Sequence, residues 1–296
     1  MSRPDPAFRL PVCRHAGDGV CQSESVHRGG GRRDRGDGNQ ACVGRTRPVT
    51  PESLIIIFVA LAIGSFAKGM TGLGLPPTSI AILAVFFGVE HAIVVTTIPV
   101  AFSNLQIVWL ARDKFRDMPQ IWPPLLAGAL GVGLGTWVLA TLNERTLTIV
   151  LTSWIAFYLL TVLFNLKIEP EGRAARVFSP AIAGGAGICQ GAMGMSGPFI
   201  ATWAHAMGFV KETYVFATSL LFMSISVTHV FGVGVAGLYD QERIVQGLLA
   251  IIPVMIFIPL GMRLTKRVSA RAFSLIIVGI LALMEVRLVW GLVTGG

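Results

Sequence analysis

The sequence predicts an all-α integral membrane protein made of two inverted repeats, each a helical hairpin broken by Gly and Pro and followed by three transmembrane helices. Three observations predict this fold: an apolar composition, ten apolar runs along the chain, and an internal repeat. Hydrophobic residues fill 53% of the 296 positions and charged residues 14%, whereas a soluble domain has about 25% charged residues. This composition excludes a soluble enzyme, a wholly disordered chain and a disulfide scaffold.

The first 50 residues differ in composition from the rest of the chain. Residues 1–48 contain nine Arg, no Lys and five acidic residues, and they lack the apolar region of a signal peptide. Because such a stretch cannot bury enough apolar surface to fold, we expect 1–50 to be a disordered Arg/Gly-rich head. Its composition favours a start codon placed too early over a native tail. Half of the net charge of +8 falls here, so the basic balance indicates no nucleic-acid partner.

The remaining chain alternates apolar runs with short polar loops. Six of the ten runs approach the roughly 20 residues that a helix needs to cross a bilayer, and the other four are shorter and interrupted by glycine. In chain order the pattern is short, short, long, long, long, and then the same again. The runs are 53–67, 77–89, 92–111, 121–141, 146–166, 179–192, 198–208, 213–236, 245–262 and 272–293.

An internal repeat is visible residue by residue. An offset of 122 residues superposes Gly69 on Gly191, Gly72 on Gly194, Pro76 on Pro198 and Thr96 on Thr218. Later in each repeat the offset is 126 and superposes Gly135 on Gly261. We place repeat 1 at 51–167, a cytoplasmic linker at 168–177 and repeat 2 at 178–296. Three full spans in each repeat make the two halves run in opposite senses, the inverted-repeat plan of many secondary transporters.

Lys and Arg are divided unequally between the two sets of loops. If each broken pair of helices is a hairpin that enters and leaves the membrane on the same side, the loops on one face of the membrane contain eleven Lys or Arg residues. The other face collects two, Arg145 and Arg243. The positive-inside rule makes the first face cytoplasmic, so both chain ends, including Gly296, are expected outside.

The interrupted segments, 64–77 and 184–198, are the predicted site. Glycine permits unwound backbone, and proline suits the first turn of a new helix, so each repeat is predicted to start a half-helix near Pro76 or Pro198. Free NH groups and the positive end of a helix dipole attract anions, so we expect the breaks to face each other at a midplane anion site. The alternative is that the glycines only permit close helix packing, which we favour for isolated pairs such as Gly131 with Gly135.

Ten positions around these segments are candidate ligands of the anion. Lys68 is the cation of the first segment and would bind an oxyanion as a point charge, unless it snorkels to an interface or caps helix carbonyls. Hydroxyl groups could donate to the anion, although each is more often bonded within its own helix. Lone histidines such as His205 and His229 are more often structural than proton relays. The predicted substrate-binding residues are Lys68, Thr71, Gly72, Gly74, Thr96, Gln190, Gly194, Ser196, Gly197 and Thr218.

The two glycine-rich segments, 67–76 and 190–198, together with the two-repeat hydropathy, resemble the sulfite exporter TauE/SafE family of bacterial permeases. The resemblance covers about residues 52–293. It implies transport across the inner membrane of sulfur-containing anions such as sulfite, sulfoacetate or other organosulfonates, with export as the expected direction. Lys68 and Leu75 stand where many such permeases carry more glycine.

Two other functions stay open at this point. An integral membrane enzyme would need His, Asp, Glu or Cys clustered at membrane depth, where this chain offers only scattered members. A non-transporting assembly factor would be expected to lack broken helices. The sequence carries no nucleotide motif and no metal-ligand spacing, so we expect no cofactor and no metal. The expected partners are a small anionic substrate and the lipid bilayer, and the sequence allows a homo-oligomer.

Overall fold

The computed structural model describes residues 51–72, 74–110, 122–163, 173–207, 211–264 and 270–294. Within these ranges every regular element is an α-helix, which confirms the all-α prediction. The predicted head, 1–50, lies outside the described residues. The helices are α1 (Pro51–Thr71), α2 (Leu75–Phe87), α3 (Val89–Leu110), α4 (Trp122–Thr141), α5 (Glu144–Leu163), α6 (Arg173–Met193), α7 (Gly197–Ala206), α8 (Lys211–Val235), α9 (Gln241–Leu249), α10 (Ile251–Leu264) and α11 (Ala270–Thr294).

The bounds of these helices repeat with the offsets found in the sequence. Helices α1 and α6 are both 21 residues long and start 122 residues apart. The starts of α3 and α8 are also 122 apart, and those of α5 and α11 are 126 apart. Helix α6 begins at Arg173, inside the stretch that the sequence analysis takes as a linker. The order of elements therefore occurs twice, while the opposite orientation of the two halves stays a prediction.

Six of the described helical stretches are long and apolar enough to cross a membrane, so the prediction of an integral membrane protein is confirmed. Helix α1 is longer than the predicted run 53–67, because it continues through the first half of the glycine-rich segment to Thr71. The six stretches are Pro51–Met70, Val89–Trp109, Trp122–Thr141, Phe216–Val235, Gln241–Leu264 and Leu275–Thr294.

The apolar run 245–262 is divided between two helices. Helix α9 ends at Leu249, Ala250 separates the elements, and α10 begins at Ile251. Pro253 explains the interruption, because a proline ring clashes with the carbonyl four residues earlier, here that of Leu249, and supplies no NH to it. The prediction of a single helical span over 245–262 is therefore wrong at this point, because hydropathy does not reveal the break.

Helix α4 of repeat 1 packs against the first helix of repeat 2, and α10, the second part of the divided segment of repeat 2, packs against the first helix of repeat 1. Helix α4 lies along α6 and α10 lies along α1, while α3 packs on α8. Glycines make both approaches possible: a Cβ on Gly135 would stand 2.9 Å from the Gly191 Cα, and one on Gly69 would stand 3.0 Å from the Gly261 Cα. The two crossings use pairs of positions that the sequence offsets superpose, so the same packing device occurs twice.

Helix α4 turns several of its glycines toward α6 and three of its leucines away from the protein interior. Gly128 and Gly131 are buried against α6, whereas Leu126, Leu130 and Leu134 are exposed on the opposite face. In water such a helix would expose its apolar face, but lipid solvates leucine as well as a protein interior does. This arrangement is therefore typical of a helix that contacts lipid.

Polar groups join three helix junctions at one end of the bundle. The Glu144 carboxylate, at the start of α5, accepts from the backbone NH of Val89, the first residue of α3. Arg243 of α9 forms an ion pair of 2.8 Å with Glu90. The junctions α2–α3, α4–α5 and α8–α9 therefore meet, and this end contains Arg243, one of the two cations that the sequence analysis assigns to the outer face.

Candidate functional site

Helices α1 and α6 end in the same way at equivalent glycines. Gly72 and Gly194 have φ of 80° and 71°, the left-handed region that glycine adopts without a steric penalty. Each donates its backbone NH to the carbonyl four residues earlier, Lys68 or Gln190, at 2.8 Å. This bond is the usual way in which a left-handed residue terminates a helix. The two breaks that the sequence predicts are thus two superposable helix ends.

A new helix starts soon after each break. Helix α2 begins at Leu75 and α7 at Gly197, with Pro76 and Pro198 as their second residues. Gly74 precedes α2 with φ of 126° and provides no side-chain cap. The half-helices therefore start where the prolines predict, because a proline in the first turn gives up an NH that has no helical partner.

The second break is closed by its own side chains. The Ser196 hydroxyl donates to the Gln190 Oε1 at 2.8 Å, and the Gln190 amide donates to the Gly194 carbonyl at 3.0 Å. All three residues are buried. A Cβ on Gly194 would overlap Ile80 of α2 and touch Ile93 of α3. Three of the predicted ligands are therefore brought together, and apolar side chains cover them.

The first break is open at the equivalent position. Gly72 is exposed, and no atom of the described residues lies within 4 Å of the place where its Cβ would be. Gly197, at the start of α7, also has open space at its Cβ position. The side chain of Thr71 lies outside the described residues. The two superposable loops thus differ in how closely neighbouring helices cover them.

Lys68 points into the protein rather than to an interface. Its side chain is buried, with 7% of the residue exposed. The ammonium donates to the Ser103 Oγ at 2.7 Å and to the Asn104 Oδ1 at 2.5 Å, both on α3. Lys68 therefore neither snorkels nor caps the carbonyls of the broken helix, the two structural roles that the sequence left open.

The Lys68 contacts continue into the second repeat. The Asn104 amide donates to the Ser226 Oγ of α8 at 2.9 Å, and that hydroxyl donates to its own helix at the Phe222 carbonyl. One polar chain thus links α1, α3 and α8. Sequence reasoning did not name Ser103, Asn104 or Ser226. A usable signal existed, since the offset of 122 superposes the polar Asn104 on the polar Ser226.

No acidic group among the described residues neutralises Lys68. In the part of the chain that the structure describes, the ion pairs join Arg243 to Glu90 and to Asp240, at the end of the bundle where α8 meets α9. The acceptors around Lys68 are a hydroxyl and an amide, which carry no net charge. Among the described residues, the buried Lys68 side chain is therefore held by neutral acceptors alone.

The predicted hydroxyl ligands on α3 and α8 are bonded within their own helices. The buried Thr96 donates to the Ala92 and Ile93 carbonyls, both at 2.9 Å. Thr218 donates to the Tyr214 carbonyl at 2.8 Å. These are the local bonds that hydroxyls in helices usually form. A role for either residue in ligand binding stays a prediction.

The described residues contain no group of three His, Cys, Asp or Glu that could hold a metal ion.

The family model for the sulfite exporter TauE/SafE family matches residues 56–288, which is most of the chain. The chain belongs to the sulfite exporter TauE/SafE family. Membership in this permease family and the six candidate spans make it a multi-pass membrane transport protein, and the resemblance found in the glycine-rich segments is confirmed. Comparisons with curated proteins and with solved structures found no match.

Proposed function

We propose that this TauE/SafE family member is a secondary permease of the bacterial inner membrane that exports a small sulfur oxyanion, sulfite or an organosulfonate. The observation that carries the proposal is the buried ammonium of Lys68, held by the neutral Ser103 and Asn104 side chains. The anion binds beside this ammonium, between α1, α3 and α8.

A buried charge that lacks an opposite charge is costly, and it favours a ligand that supplies one. An ammonium has three NH donors, and Ser103 and Asn104 accept from two of them. The third donor is available to a sulfite or sulfonate oxygen, which can only accept. Such a charge-assisted bond is about twice as strong as one between neutral groups. The arrangement therefore favours an anion over a neutral or cationic substrate.

The two breaks supply the route to this site. Gly72 follows Lys68 by one helical turn and is open, whereas the equivalent Gly194 is covered by Ile80 and Ile93. We infer that the site is accessible from the side of Gly72 in this conformation. During transport the break at Gly72 becomes covered and the break at Gly194 becomes open. Irregular backbone at membrane depth is tolerated where it lines such a cavity.

The orientation follows from the loop charges. The end of the bundle that contains Glu144 and Arg243 faces the periplasm, and the Lys/Arg-rich loops face the cytoplasm. The C-terminal Gly296 is then periplasmic. Export moves the anion from the Lys/Arg-rich side to the side of Arg243.

The experiment that tests this function is anion flux in proteoliposomes. Purified protein is reconstituted, and the movement of labelled sulfite, sulfoacetate and methanesulfonate is followed with and without a proton gradient. Lys68→Met is compared with Arg287→Met, which removes an exposed cation from α11 and leaves the Lys68 contacts intact.

We expect saturable sulfite or sulfonate flux in the parent and in Arg287→Met, and little flux in Lys68→Met. Flux of none of these anions by well-folded parent protein would contradict the substrate class. Equal flux in the parent and Lys68→Met would contradict the site.

A further inference from the structure

A second ionisable side chain lies inside the bundle, on α8. His229 is 1% exposed, and among the described residues its ring nitrogens have no hydrogen bond of regular geometry, the Gly191 backbone being a weak partner. It follows Ser226, the last member of the Lys68 chain, by three residues, and positions three apart on a helix are neighbours on one face. Burying a polar ring that lacks regular hydrogen bonds costs free energy. Such a ring indicates a group that gains a partner when the site binds its ligand.

The surroundings of His229 contain another unpaired polar atom. The Gly191 backbone, near the end of α6, faces the imidazole. A Cβ on Gly191 would stand 2.6 Å from the Thr136 backbone nitrogen, and one on Gly232 would stand 3.0 Å from the Thr136 Oγ1. That Oγ1 is also buried without a hydrogen-bond partner. Polar side chains of α4 and α8 that have no hydrogen bond of regular geometry therefore lie beside the end of α6.

The equivalent place in the other half of the protein is apolar. The offset of 122 superposes His229 on Ile107, and the offset of 126 superposes Thr136 on Met262. Both glycine contacts of the crossing are nevertheless kept, at Gly69 and Gly191. The helix packing therefore does not require polar groups here, so they call for a functional explanation.

The ionisable groups near His229 are few. Helix α4 has no ionisable side chain, and α6 contributes Cys189 near this point. Glu90 and His91 lie in the first turn of α3, at the opposite end of that helix from Asn104. Tyr214 lies four turns earlier on α8. The side chains of His205, Lys211, Glu212, Arg173 and Arg176 lie outside those described. The hydrogen-bonded chain that starts at the Lys68 cation runs through Asn104 and ends at Ser226, three residues before His229.

We propose that His229 is a proton-binding site that takes up one proton when a doubly charged sulfur oxyanion binds at Lys68. The proposal rests on the proposed function. With the site empty, burial without a carboxylate keeps the imidazole neutral. A dianion brings two negative charges; Lys68 neutralises one, and a proton taken from solution onto His229 neutralises the other. A monoanion needs only the Lys68 charge, so its binding places no proton on His229.

Calorimetry measures this proton directly. The heat of binding is recorded near neutral pH in buffers of different ionisation enthalpy, which gives the number of protons taken up per anion bound. Sulfoacetate serves as the dianion and methanesulfonate as the monoanion, because neither titrates near neutral pH. For the parent we expect close to one proton more per sulfoacetate than per methanesulfonate.

Two variants assign that proton to a residue. His229→Gln keeps a polar side chain but cannot be protonated, so the additional proton per sulfoacetate should vanish and sulfoacetate affinity should fall about tenfold more than methanesulfonate affinity. His91→Gln is the matched control, since His91 lies on α3 but is bonded to the Gln246 Oε1 at 2.8 Å, away from the Lys68 site. It should keep the parent's proton uptake.

The outcomes separate this proposal from the function on which it rests. Sulfoacetate binding with undiminished proton uptake in His229→Gln, or without uptake in the parent, overturns the proton site and leaves the permease proposal standing. Failure of the parent to bind sulfite, sulfoacetate or methanesulfonate overturns both. If His229→Gln does not give monodisperse protein, histidine ¹⁵N spectra of the parent decide. One ring should change from the neutral to the protonated pattern on sulfoacetate addition, and an unchanged spectrum overturns the proposal.

Discussion

Asn104 and Ser226 occupy equivalent positions of the two repeats and are hydrogen-bonded to each other, with 2.9 Å between the Asn104 Nδ2 and the Ser226 Oγ. When a rotation relates two repeats, equivalent positions can touch only close to the rotation axis. The contact of α3 with α8 is therefore the centre of the repeat architecture. Lys68 joins this centre from α1, so the buried charge lies where the two halves meet.

The first prediction concerns this central bond. Asn104→Leu removes the oxygen that accepts from Lys68 and the amide NH that donates to Ser226. Because a hydrogen bond to a charged group contributes roughly 1.5–3 kcal/mol, anion affinity should fall about tenfold. Isothermal titration measures the affinity. Ser226→Ala should give a smaller loss. Ser153→Ala is the control, because the Ser153 hydroxyl is exposed and bonded within α5. Unchanged anion affinity in folded Asn104→Leu would show that the hydrogen bonds of Asn104 do not contribute to anion binding.

The second prediction concerns the crossing of α4 and α6. Gly135→Ala places a Cβ 2.8 Å from the Ala192 nitrogen, so the helices must separate, at a cost of about 1–3 kcal/mol. Gly133→Ala, two residues away on α4, meets no atom within 4 Å and should be neutral or slightly stabilising. Thermal stability in detergent compares the two. Equal melting temperatures would show that α4 and α6 are not in close contact.

The third prediction compares the two helix ends. Gly194→Ala combines the cost of left-handed backbone, about 1–2 kcal/mol, with overlap of Ile80. Gly72→Ala has only the backbone cost, because its Cβ position is open. Gly194→Ala should therefore destabilise the protein more and reduce transport more. Larger side chains such as Leu should abolish transport at either position. A greater effect of Gly72→Ala would contradict the difference between open and covered breaks.

The sequence predicts the parts of this site that depend on local backbone chemistry. Glycine followed by proline marks Gly72 and Gly194 as helix ends, because few other residues adopt φ near 75° and proline suits the next first turn. The partners of Lys68 depend on tertiary packing. The offset of 122 marks Asn104 and Ser226 as equivalent polar positions, but a single Ser or Asn in an apolar run does not say what it contacts. That Ser103 and Asn104 bind Lys68 emerges only when α1 and α3 are placed together.

Two further features show what periodicity and composition leave out. Thr96 and Thr218 are superposed hydroxyls and so appear functional in sequence, yet each is bonded to a carbonyl of its own helix. The run 245–262 is uniformly apolar, and its break at Ala250 follows from the backbone chemistry of Pro253 rather than from hydropathy. Length and apolarity predict that a segment is buried in lipid or protein, but not where its helix is interrupted.

The fourth prediction concerns orientation. The unequal loop charges predict that Gly296 lies in the periplasm and the loop around Lys114 in the cytoplasm. An alkaline phosphatase fusion at Gly296 should be active, and a fluorescent-protein fusion there should be dark. A fusion pair within the loop around Lys114 is the control and should show the opposite result. Fluorescence from the Gly296 fusion would mean that the broken helix pairs are not both hairpins, and the inverted-repeat interpretation would fail.

The most direct test of the account is the binding of sulfite to purified protein with and without the Lys68 charge. Lys68→Met should weaken sulfite binding by about ten- to a hundredfold, the loss expected for a charge-assisted hydrogen bond, while Arg287→Met should bind like the parent. Both variants must elute as monodisperse protein, so that misfolding does not explain a loss. Equal sulfite affinity in the parent and in folded Lys68→Met would contradict an anion site at Lys68.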